Sequence, residues 1–191
     1  MKNLRLAAAL FGATFAAVAA GAQDLQSFEK RVSSRVLANG LTVLVCERPE
    51  APVFSFFIHV ATGSDREVPG ITGLAHMFEH MAFKGTDTIG TTDYAAEKVA
   101  LEKVEEAYAA YDRERRASGG RDPQKVAALE KAWREAIAAA DAYVIKNAFG
   151  EIVDREGGVG LNAFTSSDET GYFYSFPANR LELWAYLESE R

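Results

Sequence analysis

Cysteine occurs once in 191 residues, at Cys46, so the chain has no internal disulfide and no multi-cysteine zinc site. Its stability must come from a packed core. Cys46 lies in an apolar run and reads as a small buried hydrophobe rather than a nucleophile. Proline (5) and glycine (15) are too few for a collagen-like or low-complexity chain. No cluster of lysine and arginine occurs, and the formal net charge is -6. That balance argues against an electrostatic grip on nucleic acid. What is present, 48% hydrophobic and 25% charged residues, is the composition of a globular protein with room for about one domain.

The amino terminus carries the one long apolar stretch. Lys2 and Arg5 precede Leu6 to Ala20, and Ala20-Gly21-Ala22 puts small residues where a signal peptidase reads. Residues 1–22 are therefore expected to be a signal peptide, with cleavage before Gln23 and no stable membrane insertion afterwards. The alternative, a lone membrane anchor, is opposed by the weak hydrophobicity of so much alanine. The expected destination is the periplasm or the medium.

A polar linker, residues 23–31, leads into Ser34 to Ala38 and Leu41 to Glu47. These flank Asn39-Gly40, a strong hairpin signal. Val53 to Ala61 reads as a third strand, so continuously apolar that burial on both faces is expected. Thr72 is the expected N-cap of a helix running through Leu74, Ala75, Met77, Phe78 and Met81 towards Gly85. Two long helical patterns follow. Leu101, Val104, Tyr108 and Tyr111 mark the first; Asp122-Pro123 opens the second, striped by Val126, Leu129, Trp133, Ala136, Ile137 and Ala140. Ser118-Gly119-Gly120 joins them into an expected antiparallel hairpin. Leu161 to Phe176 is extended, and a last helix begins near Asn179 and reaches Arg191 without a stop signal.

His76-Met77-Phe78-Glu79-His80 lies inside the helix expected after Thr72. At about 100° per residue, His76 and His80 share one face about 40° apart, with Glu79 about 60° to the other side of His76. Two imidazoles one turn apart can grip a metal ion, and the adjacent carboxylate reaches its water. This H-x-x-E-H order has a chance expectation on the order of half a percent in a chain of this composition. Zinc with three protein ligands leaves one position for water, and Glu79 would act as base. The other histidine, His59, lies mid-strand and is read as a satisfied sheet residue. No carboxylate is singled out by pattern as a third ligand.

At these residues the chain resembles the pitrilysin, insulinase and mitochondrial processing peptidase family of zinc peptidases. Residues 36–43, VLANGLTV, are similar to its opening hairpin. Residues 73–86, GLAHMFEHMAFKGT, resemble its metal helix, and residues 161–166, LNAFTS, with Thr170 and Tyr172, resemble its substrate strand. The resemblance implies that His76 and His80 are ligands to Zn2+ and Glu79 is the catalytic base. It also implies that Asn162 and Ala163 lie on an edge strand that pairs with an extended peptide; a strand-end role for Asn162 stays open. The third ligand would be a glutamate beyond Arg191, which implies a chain truncated just short of it. Two departures stand out: a charged helical hairpin at about 94–149 looks inserted, and the glycine stretch before Leu161 carries one residue more than the usual pattern.

The expected fold is α+β, a mainly antiparallel sheet with helices packed on one face, incomplete at the C-terminus. Residues 32–191 would form the N-terminal part of a zinc peptidase domain. The expected function is metalloendopeptidase action on peptides or unfolded protein segments, with further peptidase-type domains in the full-length chain or in a partner subunit. Alone, the fragment is expected to be inactive. The alternatives are a non-catalytic family member that binds peptides or supports a partner, and an export-pathway adaptor that works through the hairpin.

Overall fold

A computed structural model describes residues 28–118 and 122–191. The expected signal peptide, the first part of the linker and Gly119-Gly120 lie outside the described residues. The chain divides into two units, Met1–Ala51 and Pro52–Arg191. In the first, β1 (Val32–Val36) pairs antiparallel with β2 (Thr42–Cys46), from Val32↔Cys46 to Val36↔Thr42. Gly40 takes φ 89, which a side chain would resist, and the Asn39 side chain accepts the Leu41 N–H at 3.1 Å. Cys46, expected to be buried, is exposed at the end of this hairpin. An apolar run on a two-stranded ribbon has no second layer of its own to bury it.

The second unit is organised around β3 (Val53–Val60), β4 (Val159–Thr165) and β5 (Thr170–Pro177), an antiparallel sheet in the order β3-β5-β4. Strand alternation divides its side chains cleanly. Phe54 and Phe56 of β3 face the same way as Tyr174 and Phe176 of β5, their register partners. That face carries the core, together with Phe149, Val153 and Leu187, all at most 2% exposed. Each such side chain contributes about 1.5–3 kcal/mol by leaving water.

Five helices occur among the described residues: α1 (Leu74–Met81), α2 (Tyr94–Arg115), α3 (Pro123–Asp141), α4 (Ala148–Arg155) and α5 (Leu181–Glu190). α4 presents Phe149 and Val153 four residues apart, and α5 presents Leu183, Trp184 and Leu187; both cover the core face of the sheet. Phe83, just after α1, packs on Phe149 and Tyr172 with ring centroids 6.1 Å away in each case. The fold is therefore α+β with helices on one sheet face. The opposite face leaves Phe57 52% exposed, stacked on Phe164 and Phe173. The expected two-sided burial of β3 is thus not found: Val53 and Phe57, on its second face, are both more than half exposed.

The helical hairpin is α2 with α3, packed along their lengths. Its stripe matches the expected one except at Leu101 and Tyr108, which are exposed. Phe149, at the far end of the stretch expected to be inserted, is a core residue of α4. No helix among the described residues is long and apolar enough to cross a membrane.

Candidate active site

The helix with the histidines is short, eight residues, and lacks a cap of its own. Its N-cap is Gly73 at φ 93 with no side-chain cap bond, so the expected Thr72 cap is not formed. Glu67 supplies the missing acceptors from the preceding loop. Its Oε2 accepts the Gly73 N–H at 2.7 Å and its Oε1 the Ala75 N–H at 2.8 Å. The Ala75 and Gly73 bonds hold the Glu67 carboxyl below its ordinary value, because they favour the charged form. The helix ends at Met81, ahead of the expected limit near Gly85.

One turn apart on α1, His76 and His80 bring their Nε2 atoms to 3.1 Å, with ring centroids 4.7 Å apart. Both side chains are exposed, whereas Glu79 between them in sequence is 7% exposed and turned towards the sheet. There the Thr165 hydroxyl donates to Glu79 Oε2 at 2.7 Å. A buried carboxylate needs such a donor, and β4 provides it. Two nitrogens bound to one tetrahedral zinc at about 2.0–2.1 Å lie about 3.3 Å apart. The observed gap fits two neighbouring positions of a zinc site. Among the described residues, no group of three or more His, Cys, Asp or Glu side chains converges on a point. The residues present therefore fit half of a site.

His59 takes no part in it. Its Nε2 pairs with Glu169 Oε2 at 3.1 Å, and its partner in register is Gly171, one residue out of phase with Thr170. Strand alternation puts it on the face opposite Thr165, so the reading of a satisfied sheet histidine holds.

β4 is an edge strand of the three-stranded sheet, and it is the strand on which α1 packs. The Ser166 N–H points across to the Glu169 carbonyl. Counting back by alternation, Ala163 turns its own N–H and C=O to the outer edge. Its N–H is met by the Asn162 side-chain oxygen at 2.9 Å. The register with β5 shifts between Val159 and Asn162, so the additional residue before Leu161 is taken up in a bulge with Gly160 at φ 72.

Sequence reasoning missed Glu67 and Thr165 as site residues. Thr165 was inside a recognisable motif, but its bond to Glu79 spans 86 positions. Glu67 carries no local signal.

Residues 42–115, which contain the paired histidines and Glu79, match the family described as Insulinase (Peptidase family M16). That match covers less than half of the chain. An "uncharacterized zinc protease" of Rickettsia bellii is 46% identical over 52 residues, which is 27% of this chain and 13% of that one. The beta subunit of the mitochondrial-processing peptidase of Lentinula edodes is 44% identical over 50 residues, 26% of this chain and 11% of that protein. The chain thus matches only a small part of the length of these relatives. A Helicobacter pylori protease structure shares the fold, with TM-score 0.51 and 24% identity across 83% of this chain and 25% of that one.

Proposed function

We propose that this chain supplies the His76-Glu79-His80 part of a zinc metalloendopeptidase site that cleaves peptides or unfolded protein segments. The observation that carries the proposal is the pair of imidazole nitrogens 3.1 Å apart beside a buried carboxylate on the same helix. His76 and His80 would hold zinc through Nε2, with the remaining ligand coming from outside the described residues. Zinc bound there supplies Lewis acidity and lowers the pKa of water.

The chain's own groups account for the rest. Glu79 takes the proton of the attacking water on its carboxylate and passes it to the departing amine. The Thr165 hydroxyl occupies Oε2 and so orients that carboxylate. The outward N–H and C=O of Ala163 offer an extended peptide two ladder bonds, and Asn162 must release the N–H for the peptide to take it. The relatives' names support peptidase chemistry. That one of them is a subunit supports completion of the site by further peptidase-type domains or by a partner chain. The leader-like residues 1–22 support export to the periplasm or medium.

The test is a zinc titration of the purified chain followed by histidine ring NMR resonances. Zinc should shift His76 and His80 together at weak affinity, and His80→Ala should remove the response at His76. Zinc that leaves both rings unmoved while shifting His59 would overturn the proposal.

A further inference from the structure

We propose that Glu67 is a positioning residue for the metal helix: its carboxylate fixes the first turn of α1 and thereby the placement of His76. The role towards the metal rests on the function proposed above; the role towards the helix does not.

An eight-residue helix is marginal without outside support, and its first N–H groups need acceptors. Gly73 offers no side chain for this, and Glu67 binds two of these donors with its two oxygens. Negative charge is also favoured at this helix end. Ala75, one of the residues held, immediately precedes His76, so the clamp acts on the backbone that aims the imidazole.

The loop that carries Glu67 is itself anchored. The Ser64 N–H donates to the Ser166 carbonyl at 3.1 Å, and the Asp65 N–H to the Ser167 carbonyl at 2.7 Å. A Cβ at Gly63 would overlap the Ser166 carbonyl oxygen, so this approach requires glycine. Ser166 follows Thr165, which holds Glu79. A closed circuit results: the β4–β5 turn holds the loop, the loop holds the N-terminus of α1, and α1 returns through Glu79 to Thr165 beside the same turn. The helix is fixed at both of its turns relative to β4, the strand that carries Asn162 and Ala163.

The experiment compares parent, Glu67→Ala and Glu67→Gln in the full 191-residue chain. Amide hydrogen exchange is read along α1 and β5 without metal, and zinc affinity by competition with a chromophoric chelator. Glu67→Ala should speed exchange at least tenfold in residues 74–78 while leaving β5 unchanged, and should weaken zinc binding about tenfold. Glu67→Gln keeps one acceptor oxygen and should fall between parent and alanine variant in both readouts, a graded rescue that general loss of stability would not produce. Unchanged exchange in residues 74–78, or exchange raised equally in α1 and β5, would overturn the proposal. If the parent takes up no zinc yet Glu67→Ala still loosens α1 alone, the zinc reading fails and the clamp stands.

Discussion

The histidine helix α1 and the helical arm are built on opposite plans. α1 has eight residues, a glycine N-cap and no cap bond from its own side chains. It is held by Glu67 from a loop and by Thr165 from β4. α2 and α3 run 22 and 19 residues and hold themselves. Asp93 accepts the Ala96 N–H, and Asp122 accepts those of Gln124 and Lys125. Arg134 reaches Glu130 one turn back at 2.7 Å, Lys125 reaches Glu114 across the hairpin at 2.6 Å, and Trp133 stacks on Tyr111 with centroids 5.5 Å apart. A helix that must aim two imidazoles draws its position from distant parts of the fold; one that only has to extend does not.

The contrast is broken most severely at Thr165. Thr165→Val keeps the shape and removes the donor, leaving a buried Glu79 oxygen unpaired, at a cost of about 1–3 kcal/mol. Urea unfolding should show that loss. In a Glu79→Gln background the loss should shrink, because no buried charge is then left without its donor. Equal losses in both backgrounds would mean that the hydroxyl acts through Thr170, 3.5 Å away, instead of through Glu79.

A smaller effect belongs to the arm. Asp122→Ala removes the acceptor for two N–H groups and should cost about 1 kcal/mol. Because the arm is locally built, the faster amide exchange should stay within α3 and not reach α1 or β5. Exchange that rises in α1 as well would show that the two plans are coupled.

This difference also decides what could be read from the sequence. The arm was legible because its caps and stripe lie within a few residues of each other: Asp122-Pro123 and the Val126-to-Ala140 pattern are local facts. The H-x-x-E-H spacing was legible for the same reason, and the 3.1 Å gap follows from helical geometry alone. Thr72 was a reasonable cap by local rules, but Glu67 outcompetes it from outside the helix. α4 went unseen: eight residues give barely two periods, and Asn147 enters it at φ 56 without a cap bond. The one-sided burial of β3 was also out of reach, since an apolar run does not say how many layers will cover it.

The smallest expected effect is the most informative about the arm. Its base is closed independently of the helices: Thr91 bridges Val144, the Thr92 N–H donates to the Tyr143 carbonyl at 2.9 Å, and the Ile145 N–H to the Gly90 carbonyl at 2.8 Å. Residues 94–141 can therefore be replaced by a Gly/Ser turn of about four residues across segments already bridged. The cut must stop short of Ala148, because Phe149 fills the core. Excision removes Ala140, which is buried, but no member of the core cluster on the sheet. The remaining protein should keep its unfolding free energy to within about 1 kcal/mol and its histidine response to zinc unchanged. A loss of several kcal/mol would mean that the arm supports the sheet and that its self-contained build is only local. An intact, zinc-responsive remainder would mark the arm as a separable extension on which the histidine helix does not depend.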